Sequence, residues 1–451
     1  MVLSQILVDL AIISIFLVLG AIVRQKIRVF QRYVIPASVL GGIIGLILGK
    51  NVLGLLPISD NYAQFGVIGI DVVFACLFLG RKLPGIGQLG KSAGAQTAYA
   101  YFNGFGQIAI GLLVVIAFGS IGYSLHPMFG LQLLVGYQGG VGIGTAVAPM
   151  MAELGWSASE GAAVGETCAV AGLAMSVVIG IIIINIGIAR NLTVKKFHET
   201  GQKIQSPTFK PLEARQYLSK EITSPEAASS FVFNFGFIGM AILCGHLIHL
   251  GIVSVAPPLK IMPTFPFVLI GGIIVQVLVQ KSRLDNYIDR GTVEAISGFA
   301  LDVLIVASLM AIKPSVVMAY AYPLSVMLIL GVMFNLWQLK WLGPRILPGA
   351  WFEKSVCEYA QSTGSAPQAM LLLRMVDPQL ETDAAEAFAL KMLLFSPVIF
   401  PLTVILAPII VARGPLLFFG IYCLLMLVIA AICRLTCWQK RPKERWLASP
   451  V

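Results

Sequence analysis

Long apolar runs recur along nearly the whole chain and are separated by short polar connections. A spanning helix needs about 20 consecutive apolar residues, because the hydrocarbon core of a bilayer is about 30 Å thick. The pattern therefore predicts an all-α polytopic membrane protein. The predicted spans are about 6–23, 34–50, 64–80, 93–119 and 160–189 in the first half, then 229–251, 264–280, 292–312, 315–337 and 384–412. A further apolar run at 414–434 predicts an extra C-terminal transmembrane helix.

Two polar, glycine-bearing stretches interrupt this apolar pattern, Tyr137–Thr145 and Glu358–Pro367. Glycine loses more backbone entropy in a helix than any other residue, and proline lacks the N–H, so neither stretch is expected to continue a helix well. Backbone groups freed at membrane depth have to face protein or a watery cavity and not lipid. We therefore expect re-entrant hairpins at about 131–154 and 346–376, each lining a polar site.

Charge predicts how the chain crosses the membrane. Only 12% of the residues are charged, against roughly 25% in soluble proteins. The net charge of +10 comes from basic residues at the ends of spans, so no nucleic-acid partner is expected. If both polar stretches enter and leave on one side, 24 of the 31 Lys and Arg residues share a side. Because cytoplasmic loops are rich in Lys and Arg, this predicts an outer N-terminus, a cytoplasmic linker at 190–228 and a cytoplasmic tail.

The two halves carry the same features in the same order. Pro36 before Gly41-Gly42 recurs as Pro263 before Gly271-Gly272, Asp71 recurs as Asp302, and Pro149 recurs as Pro367. Each half has five predicted spans, an odd number, so the second copy begins on the opposite side of the membrane. We expect two inverted five-helix repeats, 1–189 and 229–412, followed by the extra helix and basic tail of 413–451. Such repeats bind substrates and coupling ions near the midplane, where broken helices meet.

Residues at the two tips are the candidate solute ligands. Helix N-termini offer N–H groups to a carboxylate, and glycine lets the backbone approach a ligand closely. The candidates are Gln138, Gly139, Gly142, Gly144 and Thr145 in the first stretch, and Gln361, Ser362, Thr363, Gly364 and Ser365 in the second. Tight helix packing is the alternative explanation for the glycines. Arg374, beyond the second tip, either binds a solute carboxylate or neutralises Asp377 or Glu381.

Polar residues inside apolar helices are the candidate cation ligands. Asp71 and Asp302 lie near the middle of predicted spans, where an ionised carboxylate is costly unless it is paired or hydrated. They either coordinate a cation, relay a proton, or anchor hairpin N–H groups as structural residues. Glu166 and Thr167, early in the span after the first stretch, complete the candidate cation set. No organic cofactor is expected.

The chain resembles the bacterial sodium/glutamate symporters, the glutamate:sodium symporter family, which are distantly similar to the sodium-dependent citrate carriers. The resemblance covers about residues 5–412. It rests on Val34-Ile35-Pro36 with Gly41-Gly42, on Pro263-Thr264-Phe265 with Gly271-Gly272, on Gly142, Gly144 and Thr145, and on Gly364 with Pro367. Where family members carry Gly-Gly-His-Gly-Thr, this chain has Val141-Gly142-Ile143-Gly144-Thr145. It also lacks the family's glycine-rich run before the second tip, and helix 414–434 is additional.

The resemblance implies a secondary transporter, and not an enzyme, for Na⁺-driven uptake of glutamate or a related anionic amino acid or carboxylate. It also implies a homodimer in the lipid of the bacterial inner membrane, with an elevator-like movement of the hairpin-bearing domain. The open alternative is a proton-coupled transporter or exporter of another organic anion, in which Asp71 or Asp302 relays the proton. The two predicted hairpins favour a carrier over a channel. No catalytic motif at recognisable spacing supports an intramembrane enzyme.

Overall fold

A computed structural model describes most of the chain. The described residues are 2–32, 35–56, 62–81, 91–194, 229–282, 284, 287–377 and 380–438. Within these ranges all regular secondary structure is helical. Most of the predicted linker, from residue 195 to 228, lies outside the described residues, as do the tail from 439 onward and Val34 of the first motif.

The first half contains eight helices in its described ranges. They are α1 (Val2–Lys26), α2 (Arg28–Arg32), α3 (Ala37–Leu48), α4 (Tyr62–Cys76), α5 (Lys91–Ser120), α6 (Gln132–Tyr137), α7 (Val141–Glu153) and α8 (Ala158–Ala189). A 3-10 turn, Pro127–Leu131, precedes α6.

The second half contains ten helices among the described residues. They are α9 (Ser230–Val255), α10 (Phe265–Lys281), α11 (Arg290–Ala311), α12 (Pro314–Ala319), α13 (Ala321–Trp337), α14 (Gly343–Ile346), α15 (Trp351–Thr363), α16 (Ala366–Val376), α17 (Ala384–Arg413) and α18 (Pro415–Thr436). The predicted span 315–337 is thus two helices, α12 and α13, that meet at Tyr320.

Length and composition make this a multi-pass membrane protein. In the described part of the chain, eight helical segments are long and apolar enough to cross a bilayer. They are α1, α5, α8, α9, α11, the stretch Ala321–Ile346, α17 and α18. Three shorter apolar helices, α3, α4 and α10, lie where the remaining spans were predicted. Large apolar side chains such as Leu243 of α9 and Leu427 of α18 are exposed, as expected of surfaces that face hydrocarbon. The prediction of an all-α polytopic protein is confirmed.

The first polar stretch contains a sharp break between α6 and α7. Gly140 has a φ of +74°, in the left-handed region that glycine occupies without a Cβ penalty. Helix α7 then begins at Val141, so Gly142, Gly144 and Thr145 are all helical. The interruption is therefore confined to Gln138, Gly139 and Gly140, which is shorter than the sequence predicted.

The second break is only two residues long. Helix α15 continues through Thr363, and α16 begins at Ala366. The expectation that the stretch from Glu358 to Thr363 would not continue a helix is wrong. Its polar side chains find buried partners on neighbouring helices, and tertiary contacts of this kind override weak helix propensity. Only Gly364 and the extended Ser365 interrupt the helix.

Two pairs of helices pack with their backbones in contact. A Cβ placed on Gly41 of α3 would lie 2.3 Å from the carbonyl oxygen of Phe16 in α1. A Cβ placed on Gly271 of α10 would likewise lie 2.3 Å from the carbonyl oxygen of Ala241 in α9. Small residues that let backbones approach closely are typical of helix packing in membranes. Glycine is required at both positions because no side chain fits these gaps.

The helices form two packed groups. One group contains α1 to α4 with α9 to α11, and the other contains α5 to α8 with α12 to α18. Helix α7 packs on α4 and α11, and α17 packs on α10, so these two helices carry contacts between the groups. Helix α18 lies against α5, where the ring of Tyr422 packs on Phe105. Both broken segments belong to the second group.

Candidate functional site

One glutamine of α5 joins the two breaks. The side-chain nitrogen of Gln107 donates a 2.6 Å hydrogen bond to the backbone carbonyl of Ser362, in the last turn of α15. The side-chain oxygen of Gln107 accepts a 3.1 Å hydrogen bond from Gln138, at the end of α6. Gln107 is fully buried. Two polar stretches that are far apart in the sequence therefore meet on one side chain.

Gln107 belongs to a group of five buried amides, which we call the amide cluster. Its members are Asn103, Gln107, Gln138, Asn335 and Gln338. Asn335 of α13 donates to Thr363 Oγ1 at 2.9 Å and accepts from Asn103 at 2.8 Å. Gln138 donates to Asn103 at 2.9 Å. Because an amide both donates and accepts hydrogen bonds, the cluster offers partners to a carboxylate, an ammonium or a cation.

One oxygen of the amide cluster lacks a partner. Gln138 Oε1 is buried and makes no hydrogen bond within the described part of the chain. Leaving a buried acceptor unsatisfied costs about 1–3 kcal/mol. This oxygen lies next to the first break, so it is available to a ligand that donates hydrogen bonds or carries positive charge.

Only Gln138 of the amide cluster was predicted from the sequence as a ligand, and the other four members were not. Asn103 and Gln107 are four residues apart on α5, and Asn335 lies three residues before Gln338. Residues at these spacings share one helix face. These two pairs, each on one face of an otherwise apolar helix, could have indicated the amide cluster from the sequence.

A buried carboxylate lies beside the first broken segment. Glu166 of α8 is 2% exposed and accepts a short hydrogen bond from the hydroxyl of Thr145 in α7. Thr145 Oγ1 also lies 2.8 Å from Ser308 Oγ of α11. Among the described residues, no basic side chain pairs with Glu166. We call Thr145, Glu166 and Ser308 the first charged centre; it offers only oxygen ligands, which hard cations prefer.

Several residues around the first charged centre have packing roles. The hydroxyl of Thr167 donates to the carbonyl of Ala163 in its own helix, at 2.6 Å. A Cβ on Gly142 would lie 2.6 Å from the side chain of Leu304 in α11, and one on Gly144 would lie 3.4 Å from the backbone nitrogen of Glu166. Gly139 is half-buried in the break itself. The structure thus gives Gly142 the close helix contact that was weighed as the alternative to ligand binding.

A second charged centre lies beside the second broken segment. Lys391 of α17 is completely buried, and its Nζ lies 2.8 Å from Glu358 Oε1 of α15. Lys391 also donates to Gln361 Oε1 at 3.0 Å. The other oxygen of Glu358 accepts a 3.3 Å hydrogen bond from Gln96 of α5. Of these residues only Gln361 was predicted from the sequence as a ligand, and no role was predicted for the pair of Glu358 and Lys391.

The end of α15 is held tightly by α8. A Cβ on Gly172 would lie 2.1 Å from the carbonyl oxygen of Thr363, and Ser176 donates to the carbonyl of Ala360 at 3.0 Å. The hydroxyl of Ser362 donates within its own helix to Tyr359, at 3.3 Å. A Cβ on Gly364 would lie 2.1 Å from Gln368 Oε1. Ser365 is half-buried at the break, whereas Ser362 is buried. Ser365 is therefore the more accessible of these two candidate ligands.

The two aspartates lie elsewhere. Asp71 of α4 accepts a 2.6 Å hydrogen bond from Thr264, the residue before α10, and its other oxygen is buried without a partner among the described residues. Asp302 of α11 is exposed and lies close to Ser38, in the first turn of α3. Each aspartate therefore contacts the start of a helix in the opposite half, and neither bonds to the broken segments. These contacts join the two halves, and they differ from the anchoring of hairpin N–H groups that the sequence left open as the structural alternative.

Arg374 lies at the base of the second segment. It is exposed in the last turn of α16, roughly 12 Å along the helix axis from its first residue at 1.5 Å per residue. Nearby, Asp377 accepts hydrogen bonds from the backbone of Glu381 and Thr382, at 3.0 and 2.8 Å. The structure does not bring Arg374 to the amide cluster.

These features define an integral membrane protein with a buried polar centre where two broken helices meet. The sequence model of the sodium/glutamate symporter family matches residues 3–340. The chain belongs to this family, whose members are transporters and not enzymes. A protein of Haemophilus influenzae named sodium/glutamate symporter is 25% identical over 321 residues, which are 67% of this chain and 71% of that protein.

The family match ends before the second broken segment. Residues 3–340 include the amide cluster and the first charged centre. Helices α15 to α18, with Glu358 and Lys391, follow the matched region. The resemblance stated from the sequence motifs is thus confirmed at the level of the family, and the second charged centre needs an explanation from the chain itself.

Proposed function

We propose that this protein is a Na⁺-coupled symporter for glutamate or a related anionic amino acid or carboxylate. Family membership supports the class of transport. The observation that carries the proposal for this chain is the pair of hydrogen bonds that Gln107 accepts from Gln138 and donates to Ser362. Through these bonds, two helix breaks, one in each half, form a single polar centre at which a small solute can be enclosed.

In this proposal the amide cluster and the two breaks bind the solute. The free oxygen of Gln138 accepts from the solute's ammonium group, and backbone N–H groups at the starts of α7 and α16 face its carboxylates. Half-buried Gly140 and Ser365 mark the accessible point of each break. Gln361, Ser362 and Thr363 position the second break through their contacts with Lys391, Gln107 and Asn335.

Na⁺ is proposed to bind at the first charged centre. Glu166 supplies the negative charge, and Thr145 and Ser308 supply neutral oxygens that meet at the same point. A buried carboxylate without a basic partner is costly, and a bound cation offsets this cost. Because Thr145 lies in α7, cation binding at Glu166 would also fix the first broken segment, which is how ion binding and solute binding would be coupled.

The proposed architecture is a pair of inverted five-helix repeats, 1–189 and 229–412, with re-entrant hairpins at about 131–154 and 346–376. Support comes from contacts that recur in both halves. Gly41 packs on α1 as Gly271 packs on α9, each at 2.3 Å from a carbonyl oxygen. The contact of Asp71 with Thr264 is mirrored by the approach of Asp302 to Ser38. In an inverted repeat, a contact between the halves recurs with the roles of the two halves exchanged, and these two aspartate contacts follow that rule.

Alternating access is proposed to occur by an elevator-type movement of the group that contains both broken segments against the group built on α4 and α11. The two groups meet largely through α7, where Gly142 packs on Leu304 and Thr145 contacts Ser308. A homodimer in the bacterial inner membrane, with an outer N-terminus and a cytoplasmic linker and tail, completes the proposal. The dimer would hold one group still in the lipid while the other moves.

Proton coupling is the second candidate. A buried carboxylate whose contacts are hydroxyl groups, as in Glu166, can take up a proton as well as a cation. In this alternative the same residue carries the coupling ion but the driving gradient differs, and the solute is another organic anion moved in either direction.

Uptake by the purified protein in liposomes separates these candidates. We expect saturable glutamate uptake that requires an inward Na⁺ gradient and falls to background when choline replaces Na⁺ inside and outside. Glu166→Gln should abolish the Na⁺ dependence, whereas Arg374→Ala, which changes an exposed charge, should leave it intact. Uptake in choline that follows a pH gradient would replace Na⁺ by H⁺, and no glutamate uptake under either gradient would reject this solute.

A further inference from the structure

The pair formed by Glu358 and Lys391 is buried on all sides. Their side chains are 1% and 0% exposed, and Lys391 Nζ lies 2.8 Å from Glu358 Oε1. The ammonium also donates to Gln361 Oε1 at 3.0 Å. The rings of Phe388 and Phe395 lie 5.0 and 5.1 Å from Nζ, close enough for a cation–π contact. The ammonium is thus enclosed by two oxygens and two aromatic faces.

Stability alone does not explain why the chain buries this pair. Removing two charges from water costs about as much as their mutual attraction returns, and well-packed apolar residues often do as well or better. We therefore expect a functional role for a buried ion pair that borders one of the two breaks. Gln361 lies two residues before the end of α15, so the ammonium is held directly against the second break.

The equivalent place in the first half has a different charge. Glu166 is the ninth residue of α8, and Lys391 is the eighth residue of α17. Both helices directly follow a broken segment, so the two side chains lie at similar depth, about 12 and 10 Å from the helix start. The first centre has a carboxylate without a basic partner among the described residues; the second has a carboxylate with its own ammonium.

We infer that the Lys391 ammonium is a built-in cation that fills a cation site formed by Glu358 and Gln361. The second half then binds no coupling ion, and Na⁺ binding is confined to the first charged centre. The inference rests on the proposed Na⁺ coupling and adds the number of ions to it. Helices α15 and α17 follow the region matched by the family, so the assignment comes from this chain's own contacts.

A role for Lys391 as a direct solute ligand fits these contacts less well. Its ammonium already contacts a carboxylate, an amide oxygen and, at 3.7 Å, the sulfur of Met392. Three N–H donors are thereby used, and the two phenyl rings cover the remaining approach. A solute carboxylate would first have to displace Glu358.

Equilibrium binding of radioactive Na⁺ to the purified full-length protein, without solute, tests the inference. Lys391→Met leaves Glu358 charged and unpaired, so this variant should bind one more Na⁺ per chain than the wild type. Glu358→Gln combined with Lys391→Met should return the count to the wild-type value. Lys354→Met is the matched control, because Lys354 is equally buried but pairs with the half-exposed Asp383; it should bind no additional Na⁺.

An unchanged Na⁺ count in folded Lys391→Met would overturn the inference, and a more than tenfold loss of solute affinity in the same variant would make Lys391 a solute ligand. If Lys391→Met folds only in Na⁺, that dependence supports the inference. If it does not fold at all, Na⁺-dependent uptake is measured on the double variant, which should transport with the wild-type Na⁺ dependence. A folded double variant that has lost this Na⁺ dependence would contradict the built-in cation. Wild-type uptake without any Na⁺ dependence would instead reject the proposed function, independently of the ion counts.

Discussion

At the scale of single residues, the polar centre depends on amides more than on charges. Gln107, Asn103 and Asn335 hold the ends of α6 and α15 by hydrogen bonds of 2.6 to 3.1 Å. Amides satisfy one another inside a membrane at a smaller desolvation cost than ions. Two charged side chains lie on the helices that follow the breaks, Glu166 on α8 and Lys391 on α17, and they are of opposite sign. Glu166 attracts a cation, whereas Lys391 supplies one to Glu358.

The hydroxyl of Thr145 is expected to determine Na⁺ affinity. Thr145→Val keeps the shape of the side chain and removes the hydrogen bond to Glu166. Since a hydrogen bond to a charged group contributes about 1.5–3 kcal/mol, the Na⁺ concentration for half-maximal uptake should rise about tenfold or more. Thr167→Val is the comparison, because its hydroxyl bonds to its own helix; it should change that concentration by less than about threefold. Equal effects of the two variants would remove Thr145 from the proposed Na⁺ site.

Residue types at the breaks could be predicted from the sequence, but their partners could not. Gln138 and Thr363 stood out because polar side chains are rare in apolar helices. Their contacts with Asn103 and Asn335 depend on how α5 and α13 pack, and a single sequence does not contain that information. The same holds for Lys391, whose partner Glu358 lies on another helix beyond an intervening break.

At the scale of helices, the positions of the spans could be predicted from the sequence. The eleven predicted spans all correspond to helices or helix pairs, because the apolar runs were long and well separated. The extent of the breaks was predicted less well. Glycine and polar residues lower helix propensity only by about 1 kcal/mol each, and the contacts of α7 and α15 with α8 are sufficient to keep these residues helical.

Alanine at the two glycine contacts should destabilise the protein in the same way. Gly41→Ala and Gly271→Ala each place a Cβ 2.3 Å from a carbonyl oxygen, so the helices must separate. Overpacking of this kind costs about 1–3 kcal/mol, and each variant should unfold at a lower temperature in detergent. Gly236→Ala in α9 is the control, since its Cβ would meet nothing within 4 Å; alanine there should be neutral or slightly stabilising. Equal melting temperatures for all three variants would show that these contacts are not close.

At the scale of the whole molecule, the proposed transport requires two broken segments that enter the membrane from opposite sides. The basic residues predict that the first segment opens outward and the second inward, since 24 of the 31 Lys and Arg residues then lie on the cytoplasmic side. The contacts through Gln107 bring the two breaks together. A solute bound between the two breaks would be separated from each side of the membrane by one broken segment.

Labelling of single cysteines tests this sidedness. Ser157, after the first segment, and Glu381, after the second, are both exposed. In a background without the seven native cysteines, Ser157→Cys should react with a membrane-impermeant maleimide on intact cells. Glu381→Cys should react only after the cells are permeabilised. Reaction of both on intact cells would contradict the inverted arrangement.

If one solute occupies the space between both breaks, bound solute should protect cysteines at both tips from thiol labelling. Gly140→Cys and Ser365→Cys, made separately in the reconstituted protein, place a thiol at the half-buried residue of each break. Na⁺ and glutamate together should slow thiol labelling at both positions, and glutamate without Na⁺ should protect neither. Protection at only one tip, or at neither while uptake persists, would show that the solute does not occupy the space between both breaks.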